Sequence, residues 1–237
     1  MTPVIVYFQG GVGNQLFQWA YGTYLAGKSY RVAYNDYYMQ GLFEPQRFPF
    51  ELDKLFTLPV RTYSPWTIRA LRLIGYRYHR DDPVFVEHPP PRGKALAIGF
   101  WQLPLYAQTI RETVRARLPA VPPPAPGEWI SLGIRRGDYV SDPKLTAAMG
   151  VLGFDYYRRA LAEMPSTLPI VIMTDDPGWA QAEFVPALGL AGRTRVLPLT
   201  LPTWEKISVM RQARHHIIAN STFHWWGAYL SDSDDVI

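Results

Sequence analysis

Beyond residue 128 the chain alternates short apolar runs with stretches of helical spacing, and no other feature limits its possible folds as tightly. Residues 129–134, 169–173, 195–197 and 217–219 read as strands, and residues 154–163, 179–188 and 203–213 read as the helices between them. Such alternation predicts a parallel sheet flanked by helices. The first residues carry the same theme. Val4-Ile5-Val6-Tyr7-Phe8 is a short buried strand, stopped by the Gly10-Gly11-Val12-Gly13 turn. From Asn14, Leu16, Phe17, Trp19, Ala20, Tyr24 and Leu25 recur at helical spacing until Gly27. Residues 31–34 and 95–100 are further strand candidates, and residues 105–118 form a helix with an Arg-rich end. Residues 37–65, rich in aromatics and prolines, read as loops and short helices.

Between these halves five prolines crowd into residues 119–127, which forbids regular hydrogen-bonded structure there. The expected organisation is therefore an N-terminal lobe at 1–118, a proline-rich linker at 119–127 and a C-terminal lobe at 128–237. An apolar run opens at Val236-Ile237 as the sequence stops, so a truncated C-terminal lobe is expected.

Composition narrows the class. With 48% apolar and 19% charged residues over 237 positions, the chain is globular and large enough for two half-domains. No cysteine is present, which excludes disulfides and thiolate metal sites and fits a reducing cytoplasm. The net charge of +4 comes mainly from Arg, because Lys occurs only at 28, 54, 94, 144 and 206. Arg favours bidentate grips on phosphate, so the excess suits a nucleotide ligand as well as a soluble surface. No secretory signal fits the N-terminus and no run approaches the ~20 apolar residues of a membrane span. The expected location is the cytoplasm, with at most peripheral association at the inner membrane surface. Residues 66–77 set arginines beside bulky apolar groups; a partly exposed helix is the simpler reading, membrane-surface contact the other.

Ligands of open parallel sheets collect beyond the carboxyl ends of the strands. Four groups of residues fall there. In Gly10-Gly11-Val12-Gly13-Asn14-Gln15 the glycines admit a close ligand and the next helix offers amide groups, although many such turns bind nothing. Arg135-Arg136-Gly137-Asp138-Tyr139 places two guanidiniums at a strand end. One can grip a pyrophosphate and neutralise charge on a leaving diphosphate while a carboxylate such as Asp138 holds the other; a solvated ion pair is the blander alternative. Thr174-Asp175-Asp176-Pro177 can bind a metal, accept from a base or ribose, orient an arginine, or cap a helix whose first residue is Pro177. Asn220-Ser221-Thr222-Phe223-His224-Trp225-Trp226 can cradle phosphate or simply cap an aromatic helix.

Other classes lose ground. His79, His88, His215, His216 and His224 show no metal-ligand spacing and no nucleophile elbow is present, which argues against a zinc enzyme or a serine hydrolase. The basic residues are scattered and lack a recognition motif, so no nucleic-acid partner is expected.

Taken in this order, the four groups resemble the glycosyltransferase family of the α-1,2-fucosyltransferases, family 11. The residues that carry the likeness are Gly10 to Gln18, Ile134 to Val140, Thr174 to Ala180 and Ala219 to Trp226. The resemblance implies a GT-B-like α/β fold with two Rossmann-type lobes around a cleft, the C-terminal one binding donor and the N-terminal one facing acceptor. It implies GDP-fucose as donor, a galactose-containing glycan as acceptor, inversion at the anomeric carbon, and no metal or other cofactor. It makes Arg135 the arginine directed at the β-phosphate, Arg136 a support, Ser221 and Thr222 phosphate-side hydroxyls with Asn220 beside them, and Asp175 and Asp176 part of the donor site. Gly11, Gly13, Asn14 and Gln15 line the N-lobe side. Asp138 is the nearest motif carboxylate to serve as base, and the base remains unassigned. One departure stands out: the family usually has His two places before the first Arg, and here that place is Gly133. Another GDP-fucose-dependent transferase, and a GDP-sugar or glycan-binding protein without turnover, stay open as alternatives.

Overall fold

The computed structural model describes residues 1–40, 48–82 and 85–237, without the side chains of Asp138, Leu145 and Ala148. The chain divides into two compact units, Met1–Arg117 and Leu118–Ile237.

The first unit runs β1 (Thr2–Tyr7), α1 (Val12–Gly27), β2 (Tyr30–Asn35), β3 (Val60–Arg61), α2 (Pro65–Leu73), β4 (Arg77–Arg80), β5 (Ala95–Ile98), α3 (Pro104–Ala107) and α4 (Arg111–Arg117). Its strands are all parallel in the order β3-β2-β1-β5-β4, with Val4 of central β1 opposite Val32 on one side and Ala95 on the other. Helix α1 starts at Val12, two residues before the first position expected from spacing, because Gly10 turns the chain at φ +75 and Gly11 caps the helix in extended geometry. It is buried on most of its circumference, so Leu16, Phe17, Trp19, Ala20, Tyr21 and Leu25 pack as core.

Two features of this unit differ from expectation, and the partly exposed helix expected at 66–77 is present as α2. Strand β4 was not anticipated, since Arg77-Tyr78-His79-Arg80 is an edge strand with mostly exposed side chains and no apolar signature. The single helix expected at 105–118 is two: the Thr109 hydroxyl donates to the carbonyls of Tyr106 and of Ala20 in α1, drawing the backbone out of the helical ladder. Helix α2 is capped by Ser64, which accepts from Thr67 N at 3.2 Å, and buries only Ile68, leaving Trp66 and Leu73 exposed. The expectation of loops and short helices covers residues 41–47, which lie outside the described residues.

The second unit runs β6 (Ile130–Ile134), α5 (Gly137–Ser141), α6 (Pro143–Met149), α7 (Phe154–Ala162), β7 (Ile170–Thr174), α8 (Pro177–Trp179), a π-helical turn (Ala180–Phe184), α9 (Val185–Ala187), β8 (Thr194–Val196), α10 (Thr203–Met210), β9 (His215–Ile217) and α11 (Thr222–Tyr229). The strands are again parallel, in the order β8-β7-β6-β9, and Val236 bridges to His216 in the same sense. Every residue of β6 and β7 is buried, as strands covered on both faces require. Ile130, Leu132, Ile134, Ile170, Ile172 and Ile217 meet Tyr157, Ala180 and Phe184 in one core, each large side chain contributing about 1.5–3 kcal/mol by leaving water. Helices α5 and α6 had no periodic signal in the sequence. The proline-rich stretch carries neither helix nor strand. It is fastened to the second unit, with Arg195 Nη1 donating to Pro124 O at 3.1 Å and Gln212 Nε2 to Val121 O at 3.4 Å.

Strand β7 follows β6 on one side while β9 returns on the other, so the carboxyl ends of β6, β7 and β9 bound a topological switch point, the position at which open α/β sheets bind their ligands.

Candidate functional site

Three chain segments leave that edge: Arg135 follows β6, Asp175 follows β7 and Asn220 lies just past β9. Asp175 knits the first two together. Its Oδ1 accepts from Arg136 N at 2.9 Å, and its Oδ2 lies 2.8 Å from Arg135 Nη1, an ion pair not aligned as a directed hydrogen bond. A Cβ on Gly137 would come within 2.6 Å of the same oxygen, so the glycine of the Arg-Arg-Gly-Asp motif is what lets the carboxylate sit against the turn. Asp176 does two things as well. Its Oδ1 caps α8 by accepting from Trp179 N at 3.1 Å, with Pro177 at the first helical position, and its Oδ2 meets Arg136 Nε at 3.4 Å. The Arg136 guanidinium lies over Trp179, 3.7 Å from the ring centroid, while that of Arg135 lies 5.1 Å from the ring of Tyr139.

Each arginine therefore meets an aspartate from the carboxyl end of β7. The Asp138 side chain lies outside the described residues; its backbone is in α5. Magnitude indicates what the pairs are for. All four side chains are between 22% and 39% exposed, and ion pairs in such surroundings stabilise a fold by about 0–1 kcal/mol. Their consequence is geometric: two guanidiniums are held at a strand edge by acids that leave part of each exposed.

The third segment completes the edge. Asn220 Nδ2 donates to Met149 O at 2.7 Å and Gly150 O at 3.2 Å, and the Asn220 carbonyl accepts from Tyr139 at 3.4 Å, which draws this turn to Arg135's neighbour. Asn220 Oδ1 has no hydrogen-bond partner among the described residues. Ser221 is the N-cap residue of α11 but its hydroxyl makes no capping bond, and Thr222 opens the helix. In α11 the His224 ring is buried, and its pKa is lowered to about 3, first by burial and then by the Arg135 charge. Neither His224 nor Trp179 was assigned a role at the site from sequence, although both stand inside the quoted motifs.

The glycine-rich motif of the first unit has a different character. Gln15, expected to line a ligand surface, is fully buried; its Nε2 donates to Gly10 O at 3.0 Å and Pro49 O at 2.9 Å, and its Oε1 accepts from Glu51 N at 3.0 Å. Gln18 is likewise buried and ties Gln9 N, Gln9 O and Gly99 O together. Both amides act as internal struts at the ends of β1 and β5. Gly11 and Asn14 are partly exposed, Asn14 Oδ1 accepting from Gln102 Nε2 at 2.9 Å, whereas Gly13 is buried.

Two parallel-sheet α/β units in tandem define the GT-B-like class. The NodZ alpha-1,6-fucosyltransferase co-crystallised with GDP shares this fold, with a TM-score of 0.53 over 97% of this chain and 92% of that one at 13% identity. The sequence pattern of Glycosyl transferase family 11 matches residues 70–237, and the chain belongs to that family. Among relatives, an alpha-1,2-colitosyltransferase of Escherichia coli is 26% identical over 99% of this chain and 89% of its own length. The O-antigen biosynthesis glycosyltransferase WbnK, also of Escherichia coli, is 33% identical over 45% of this chain and 36% of its own length. Among the described residues no helix is long and apolar enough to cross a membrane.

Proposed function

We propose that this glycosyltransferase moves L-fucose, or a closely related deoxy sugar, from its GDP-activated form to the 2-hydroxyl of a galactose-type residue with inversion. The observation that carries the reading is the pair of aspartate-held arginines at the switch point of the second sheet. On this reading the second unit binds the donor and the first faces the acceptor. As the acceptor oxygen bonds to the anomeric carbon, the bond from that carbon to the β-phosphate oxygen breaks and negative charge gathers on the departing GDP. Arg135 stabilises that charge, held in place beforehand by Asp175, so little reorganisation is needed as the bond breaks. Arg136, pinned by Asp176 and Trp179, keeps the turn in shape. Asn220, Ser221 and Thr222 offer polar groups on the phosphate side, the opening of α11 adding backbone amides. The acceptor proton passes to water or to a carboxylate of the motif such as Asp138 as the bond forms, and no cofactor or metal takes part.

The sugar transferred is the finer question, because a relative is named a colitosyltransferase. The test is release of GDP by purified wild-type and Arg135→Ala protein from GDP-fucose or GDP-colitose, with lactose as acceptor and EDTA present. Acceptor-dependent turnover that persists in EDTA and collapses in the variant is expected. Turnover with one donor alone identifies the sugar, and GDP binding without turnover would turn the reading into a binding protein.

A further inference from the structure

Gly133 and His224 are far apart in sequence and occupy the same space. A Cβ built on Gly133 would lie 2.5 Å from His224 Nδ1, 2.6 Å from its Cγ and 2.9 Å from its Cε1, all far inside contact distance. The ring thus fills the volume that any side chain at 133 would need. Gly133 and Arg135 are two residues apart along extended backbone, so their side-chain directions point to the same face, and a ring over the first stands beside the second. Imidazole Nδ1 has no hydrogen-bond partner among the described residues, though His224 is 5% exposed. The ring lies against the Met173 backbone, which acts on its charge as a hydrogen-bond partner would. That proximity brings α11 to β7, one residue before Thr174 and two before Asp175.

We infer that His224 is a positioning residue of the donor site: from α11 its imidazole takes the place over Gly133, packs between the β6 and β7 ends, and sets the stem of Arg135. This rests on the functional reading above. Neutrality matters here, because an imidazolium beside Arg135 would repel the cation that the diphosphate needs, and burial together with that cation keeps the ring uncharged. The departure at Gly133 is then an exchange of origin, the imidazole arriving from a helix rather than from the strand.

The test is a double-mutant cycle in the full chain between Gly133→Ala and His224→Ala, with His224→Gln added, since its amide can keep a polar group beside the Met173 backbone. Thermal midpoint, GDP dissociation constant, and donor and acceptor KM are read for each. Gly133→Ala alone is expected to weaken GDP binding about tenfold or more by evicting the ring, and to add little once His224 is already Ala. His224→Ala should raise donor KM while acceptor KM holds, and His224→Gln should recover most of the loss. A lowered midpoint with unchanged donor KM and GDP affinity in His224→Ala would leave His224 a packing residue and overturn the inference. Additive effects in the cycle would overturn it as well. Absence of GDP binding by the unaltered protein is a different outcome, which sinks the functional reading itself and the positioning role with it.

Discussion

The two units present similar parallel sheets, and the carboxyl edges of those sheets are finished in opposite ways. In the first, Gln15 and Gln18 are buried and bonded, and Asp81 accepts from the amides of Phe100 and Trp101 while pairing with His88; the buried Asn35 Nδ2 at the end of β2 has no hydrogen-bond partner among the described residues. In the second, charged groups stand part-exposed at the strand ends and polar atoms of Asn220 and His224 have no hydrogen-bond partner among the described residues. A polar group satisfied inside stabilises the fold and has little left for a ligand, whereas a preset charge contributes little to stability and much to recognition. On the proposed function, the same topological position serves mainly architecture in one unit and chemistry in the other.

The sharpest way to break this division is Arg135→Ala. Loss of one preset charge-stabilising group typically lowers turnover by about 10²–10³-fold, and the near-surface ion pair it removes is worth at most about 1 kcal/mol. Transfer rate should therefore collapse while the urea midpoint barely moves. A variant that unfolds instead would make Arg135 a structural residue. The converse experiment is Gln18→Leu, which leaves the Gln9 amide, Gln9 carbonyl and Gly99 carbonyl without their partner. Stability should fall by about 3 kcal/mol, by denaturant titration, with GDP affinity of the folded protein unchanged. Equal loss of GDP affinity would show that the first edge also carries donor chemistry.

Acidification gives the next largest effect. The folded-state pKa of His216 is lowered to about 4 and that of His224 to about 3, in both cases chiefly by burial. An unfolded histidine titrates near 6.5, so below that pH the unfolded chain binds protons that the folded one refuses. Stability is fully present above about pH 6.5 and declines as pH falls toward 4 and 3, by about 1.4 kcal/mol per unit for each histidine at most. His79 in the first unit shifts in the same direction, also from burial. Two such groups against one should make amide exchange in β6 and β7 accelerate on acidification before that in β1, and the reverse order would contradict the assignment of burial.

How far the sequence reveals these arrangements depends on where a residue's partner lies. Strands such as β1, β6 and β7 were legible because their apolar runs are continuous and their ends marked by Gly10, Arg135 and Asp175. Strand β4 was not, since an edge strand has no buried face to write into its pattern. The cap formed by Asp176 was readable because both its partners are local, with Pro177 next in line. The Arg135–Asp175 pairing and the Gly133–His224 contact join positions 40 or more residues apart, brought together by the β6–β7 register in the first case and by the packing of α11 in the second. Gln15 misled for the same reason. A polar residue after a glycine turn looks ligand-facing until Pro49 and Glu51 are seen on its amide.

The smallest predicted effect separates the two arginines from each other. Arg136 stacks on Trp179, a contact whose energy is about 0.5–1 kcal/mol at a part-exposed site, and Trp179 also packs on Phe154 and Phe184. Trp179→Leu keeps an apolar side chain against those rings and removes the aromatic face under the guanidinium. If Arg136 only maintains the shape of the turn, Asp176 still holds its Nε and GDP affinity should weaken by no more than about fivefold, a factor worth about 1 kcal/mol. Titration calorimetry with GDP reads this directly. A loss as deep as that of Arg135→Ala would mean that Arg136 shares the diphosphate, and the site would then be a two-arginine clamp rather than one ligand arginine with a brace.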